Sequence, residues 1–152
     1  MSFSLHPQLV ADCHVLGHYQ HCHVLLQRNA AVPWFIIVPE TKETEFLLLD
    51  MALQMEVLSL ASQLRHFMSK QLAVEKTNMA TIGNIVPQIH MHVIGRSEQD
   101  ACWPLPVWGH LNQQAVYADD SLAGFTQILC NEYGLMRWLF SKPVLTAAYL
   151  PG

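Results

Sequence analysis

Charge is scarce in this chain. Only 13% of its 152 residues are charged, and eight lysines and arginines face twelve aspartates and glutamates. A formal net charge of -4 leaves no basic footprint for a nucleic-acid polymer, although local donors are still free to bind a small anion. Cysteine is sparse as well. Cys13, Cys22, Cys102 and Cys130 form no CxxC pair, which argues against a disulfide scaffold and makes reduced thiols in a cytoplasmic protein the expected state. Uninterrupted apolar runs are also missing. The greasiest region, residues 46–68, is broken by Asp50, Gln54, Glu56, Gln63 and Arg65, so no membrane span is expected. The opening MSFSLHPQLV has neither a basic start nor a continuous apolar segment, and no signal peptide is read there.

What the chain does have is 51% hydrophobic residues, enough for a real core and incompatible with disorder. Its length suits a single domain, residues 1–152. Pro7 fits the first turn of a short helix in HPQLVADC. HCHVLLQ (21–27) and PWFIIVP (33–39) read as strands. Leu53, Val57, Leu60, Leu64 and Phe67 then recur at alternating spacings of four and three, the stripe of a helix over about 50–69, with Asp50 as its N-cap. Residues 74–83 and 88–96 read as two further strands, WPLPVWG (103–109) as a loop, and a last helix lies within 121–133. This order predicts an α+β domain with a mostly antiparallel, five-stranded sheet, one long helix and a C-terminal helix.

The stretch NIVPQIHMHVIGR (84–96) carries the chemistry. In a strand, alternate side chains share a face, so Gln88, His90 and His92 would line one surface at steps of about 7 Å, with Ile89, Met91 and Val93 turned into the core. Such a surface suits a phosphate group: one imidazole attacks phosphorus while its neighbours donate to the phosphoryl oxygens. Two other readings stand beside it. One is an ordinary half-buried strand. The other is a metal enzyme with His90 and His92 as ligands, an arrangement that cupin-type jelly rolls combine with a later Glu and framing glycines; the long helix contradicts an all-β chain. The segment CHVLGHYQHCH (13–23) invites a zinc reading too, but its spacings fit no standard ligand pattern.

QIHMHVI resembles the motif of the histidine triad (HIT) superfamily, with Gln88 in place of the first histidine. The match extends to a bacterial branch of that superfamily in three ordered blocks: PWFIIVP, Asn78 to Arg96, and WPLPVWG, together spanning residues 33–109. The resemblance implies an α+β fold paired into a homodimer with a continuous sheet. It also implies a nucleotidyl hydrolase or transferase that cleaves at the α-phosphate of a nucleotide or dinucleotide, such as a dinucleoside polyphosphate. By similarity His90 is the nucleophile, forming a nucleotidyl-histidine that water resolves, and His92 donates to the phosphate. Asn78 and Asn84 hold phosphate or ribose oxygens. No cofactor is required, and a divalent metal enters only as a counter-ion of the substrate.

Two departures from the family pattern motivate a second reading, a nucleotide-binding or sensing protein with weak turnover. Gln88 cannot shuttle a proton. Pro33-Trp34-Phe35 stands where many members carry a histidine, leaving Trp34 to stack on a base or to join the core. Trp103 and Trp108 frame a candidate lid beside the phosphate site. Arg96 meets a phosphate or pairs with Glu98 or Asp100. The tail after Gly134 (134–152) is an apolar extension suited to cover the domain or a dimer contact.

Overall fold

The computed structural model describes residues 2–137. Pro7 opens a six-residue helix, α1 (Pro7–Asp12), as its fixed backbone angle favours, and the His6 side chain accepts from the Gln8 amide ahead of it. Three antiparallel strands follow: β1 (Cys13–Tyr19), β2 (Cys22–Gln27) and β3 (Trp34–Pro39). A 3-10 turn at Phe46–Leu48 leads into α2 (Met51–Gln71), whose first turn is capped by Asp50 accepting from the Leu53 amide at 2.8 Å. Then come β4 (Lys76–Ala80), β5 (Met91–Arg96), α3 (Asp119–Tyr133) and the short β6 (Met136–Arg137).

The sheet order is β4-β5-β3-β2-β1-β6, and every pairing is antiparallel. Among the described residues it has six strands, not the five expected. The extra element is β6, a two-residue pairing on the outer side of β1. Residues 13–19, which none of the expected strands covered, form the strand β1, with a turn at 20–21 before β2. The other boundaries move modestly. The strand expected over 74–83 is confined to Lys76–Ala80, and that over 88–96 to Met91–Arg96.

The central strands are buried on both sides. Phe35, Ile37, Met91 and Val93 face a core closed by Val57, Leu60, Leu64, Phe67 and Met68 of α2 and Leu129 of α3. Trp34, Ile36, Val38 and Ile94 face the opposite way, into a second core closed by Leu9 of α1 and by Val86, Cys102 and Val107 from loops. That double burial explains why PWFIIVP is apolar at nearly every position rather than at alternate ones. It also explains the one glycine of β5. A Cβ on Gly95 would sit 2.6 Å from Cγ2 of Val74 and 3.2 Å from Sδ of Met68, so the end of α2 packs against bare backbone there. Apart from residues 134–137, the C-terminal extension lies outside the described residues. Among the described residues no helix is long and apolar enough to cross a membrane.

Candidate functional site: two imidazoles beside a cleft

The motif begins where the sheet runs out. β4 ends at Ala80, opposite His92, and β3 reaches Ile37 opposite Met91. Residues 88–90 therefore have no ladder partner, and Gln88 and His90 precede the strand instead of lying on it. Their side chains part company. His90 and His92 keep together, with ring centroids 4.8 Å apart and planes at 77°. Gln88 turns to the N-terminal segment: its Oε1 accepts from the His6 amide at 2.8 Å, and its Nε2 donates to the Ser4 carbonyl at 2.9 Å. A primary amide matches the two faces of a peptide unit, so Gln88 holds residues 4–6 as a neighbouring strand would.

The ring states of the two histidines follow from their partners. Nδ1 of His90 lies 2.7 Å from the Gln88 main-chain carbonyl. A carbonyl only accepts, so Nδ1 carries a proton, and in the neutral ring Nε2 is the nitrogen with the lone pair. The contact comes from the backbone of residue 88, so it does not depend on the Gln88 side chain. His92 is set the opposite way. Nε1 of Trp34 donates to its Nδ1 at 3.0 Å, which puts the ring proton on Nε2. Burial, with His90 adding to it, pushes the His92 imidazole down from 6.5 to about 4, so it is neutral near pH 7.

His90 borders a cleft of about 630 Å³ walled by residues 44–47 on one side and by Thr81, Gly83, Asn84, Pro87 and Ile89 on the other. Gly83 has φ +68°, a backbone conformation that turns the chain back between β4 and the motif. Asn84 is thus brought to the site. Thr44, Glu45, Phe46, Leu47 and Thr81 are there too, though no spacing in the sequence marks them; PETKETEFLLL reads as a connection between β3 and α2.

Asn78, Arg96 and Trp103 gather elsewhere, near the far end of β5, where Arg96 lies roughly 17 Å along the strand from Met91, the residue after His90. Arg96 is 2% exposed and fully engaged. Its Nε and Nη2 donate to Asp100 at 2.7 and 3.0 Å, Nη1 donates to Asn78 at 3.0 Å, and the guanidinium lies 5.7 Å from the Trp103 ring centroid. Of the two fates open to Arg96, pairing with Asp100 is the one observed. Trp34 and Trp108 form the shell behind His92. The Trp108 ring is 5.1 Å from His92 and 5.5 Å from Trp34, both edge-on. Trp34 is 9% exposed, so its indole has little surface to offer a base. WPLPVWG thus anchors at both ends, with Trp103 on Arg96 and Trp108 beside His92. Among the described residues, no three His, Cys, Asp or Glu side chains converge as a metal-binding group, in segment 13–23 or around His90 and His92.

The protein is thus an antiparallel α+β domain with two imidazoles paired where a central strand begins. The HIT-domain family model matches residues 8–99. Three solved structures agree along nearly their full length. A histidine triad protein from Bradyrhizobium japonicum is 32% identical with a TM-score of 0.77, covering 85% of this chain and 96% of its own. One from Marinobacter aquaeolei is 37% identical with a TM-score of 0.75, covering 84% and 93%. One from Sinorhizobium meliloti is 30% identical with a TM-score of 0.76, covering 83% and 93%. No curated protein sequence matches significantly. The chain belongs to the HIT family.

Two variants separate the structural contacts from the chemical ones. Arg96→Met leaves Asp100 buried without its partner and should cost about 3–5 kcal/mol in urea denaturation at pH 7. Burial alone would raise the Asp100 pKa, but hydrogen bonds from Arg96 and the Ser97 and Cys102 amides hold it from 3.8 down to about 2. The folded state binds fewer protons than the unfolded one between those values, so wild-type stability should fall as pH drops from about 4 towards 2. That acid dependence should shrink in Arg96→Met. Gln88→Ala should speed hydrogen exchange at the His6 amide and lower stability by about 1 kcal/mol, leaving the His90 ring bond intact. Unchanged exchange at His6 would contradict the clamp.

Proposed function

We propose that the protein is a nucleotidyl hydrolase or transferase that cleaves at the α-phosphate of a nucleotide or dinucleoside polyphosphate, with His90 as nucleophile. One observation carries this reading: the His90 ring is pinned through Nδ1, leaving an unprotonated Nε2 on a residue that lines a cleft large enough for a nucleotide. The Nε2 lone pair attacks phosphorus, the bond to the leaving group breaks, and a nucleotidyl-histidine results. Water then attacks phosphorus and returns the pair to Nε2. His92 donates through Nε2–H to a phosphoryl oxygen, and Asn84 supplies a further donor from the cleft wall. Among the described lining residues none is Lys or Arg, so these neutral donors take the place of cations. A metal has no step in this chemistry and serves as a counter-ion of polyphosphate substrates. The cytoplasm, rich in nucleotides, is the fitting compartment.

The test is turnover of diadenosine tetraphosphate and of adenosine 5′-phosphoramidate, with intact-mass detection of an adenylyl adduct. His90→Ala should lose the adduct and at least about a thousandfold in kcat/KM. Equal hydrolysis by variant and wild type would sink the assignment. The second reading, a nucleotide sensor with little turnover, is favoured by the capture of the Gln88 side chain away from the site. AMP or GMP binding with no adduct from any donor would establish it.

The reading includes a homodimer through β4. This edge strand presents Met79 at 49% exposure near Leu58 of α2, and α2 also exposes Met51 and Met55. Among the described residues nothing pairs with the outer edge of β4, and an open strand edge is an aggregation hazard that a second copy removes by extending the sheet. The wild type should sediment as a dimer at micromolar concentration and Met55→Lys/Met79→Lys as a monomer. A monomeric wild type would refute the pairing.

A further inference from the structure

We propose that Trp34 is a positioning residue that locks His92 as a neutral Nε2–H donor, so that the site selects nucleotidyl substrates whose leaving group departs without being given a proton. This rests on the catalytic reading of His90 above.

An indole N–H donates and never accepts. Protonating Nδ1 of His92 would therefore break the 3.0 Å bond from Trp34 and set two N–H groups head to head. Trp34 has little freedom to retreat. It sits in β3 opposite Ile94, is 9% exposed, and is braced edge-on by Trp108. Across the strands His92 is opposite Ile36 and Ala80, and of the described residues found against it, His90 is the titratable one. Desolvation acts in the same direction and holds the ring neutral. The two imidazoles are thus fixed in opposite tautomers, one presenting a lone pair and the other a proton.

The consequence lies in the proton balance. As the His90 Nε2–P bond forms, the bond from phosphorus to the leaving atom breaks and that atom takes the pair. Full transfer of the Nε2 proton from neutral His92 would create an imidazolate, so His92 can stabilise by hydrogen bonding but cannot serve as an effective acid. Leaving groups stable as anions, such as phosphates and nucleoside polyphosphates, depart under these conditions. Amines and alkoxides require a proton that this site does not hold. In the second step water bonds to phosphorus, the P–N pair returns to His90, and the water proton passes to the released anion or to solvent.

Nitrogen-15 NMR of the histidine rings tests the lock directly. Wild-type His92 should stay in the Nε2–H form from pH 5.5 to 8, while Trp34→Phe should show a tautomer mixture or a raised pKa. A wild-type Nδ1–H tautomer, or an imidazolium near pH 6.5, would overturn the proposal. The wild-type spectrum requires no substitution, so a Trp34→Phe chain that fails to fold leaves this arm intact. The kinetic arm compares adenylyl donors with a polyphosphate and an amine leaving group. Wild type should favour the anhydride by about a hundredfold in kcat, and Trp34→Phe should shrink that ratio about tenfold. Equal rates on the two donors, or a ratio unmoved by Trp34→Phe, would overturn the selectivity. A wild type that forms no adduct with any donor removes the catalytic reading and the selectivity together, while the spectrum still decides what Trp34 does to His92.

Discussion

Every residue of β5 is buried, and that constraint organises the rest of the protein. A polar side chain on such a strand must find its partners inside the fold, because leaving them unmade costs more than the bond itself returns. His92 finds Trp34, and Arg96 finds Asp100 and Asn78. His90, just outside the ladder, finds a main-chain carbonyl. Each partner also settles a chemical state, since donor-only and acceptor-only groups leave a histidine one choice of tautomer.

The strand therefore separates two side-chain clusters along its length. At its start, the rings of His90 and His92 meet edge-on, and His90 borders a cleft. At its end, an arginine that a phosphate would otherwise attract is consumed by a buried ion pair that fastens the 97–103 loop to the sheet. WPLPVWG touches both ends, with Trp103 against the arginine and Trp108 behind His92. Gln88 belongs to neither group through its side chain. It ties the N-terminal segment to the motif, while its backbone keeps the role that orients His90.

Much of this was legible in the residues. The α2 stripe, the Asp50 cap, the apolar run of β3 and the pairing of His90 with His92 follow from periodicity and local chemistry, which act over a few residues. The alternation argument overreached at residues 88–90, because it assumes a strand, and a strand continues only as far as its neighbours do. β1 was obscured by Cys13, His14 and His18, which read as potential ligands and mask a strand that pairs with β2 on both sides of a bulge at Leu16. The cleft wall at residues 44–47 gave no signal, since a loop's contribution to a site depends on where distant strands place it.

By itself the sequence determined the class of fold, the family through its three ordered blocks, and the nucleophile candidate, because these depend on patterns carried within short segments. Only the tertiary structure decided the states and partners of the site. Whether Arg96 meets substrate or Asp100, whether Gln88 faces the cleft or the N-terminus, and which nitrogen of His92 holds the proton all turn on groups up to 84 residues apart in the chain. Hydrogen bonds between such groups exist only once the sheet has brought them within 3 Å or so.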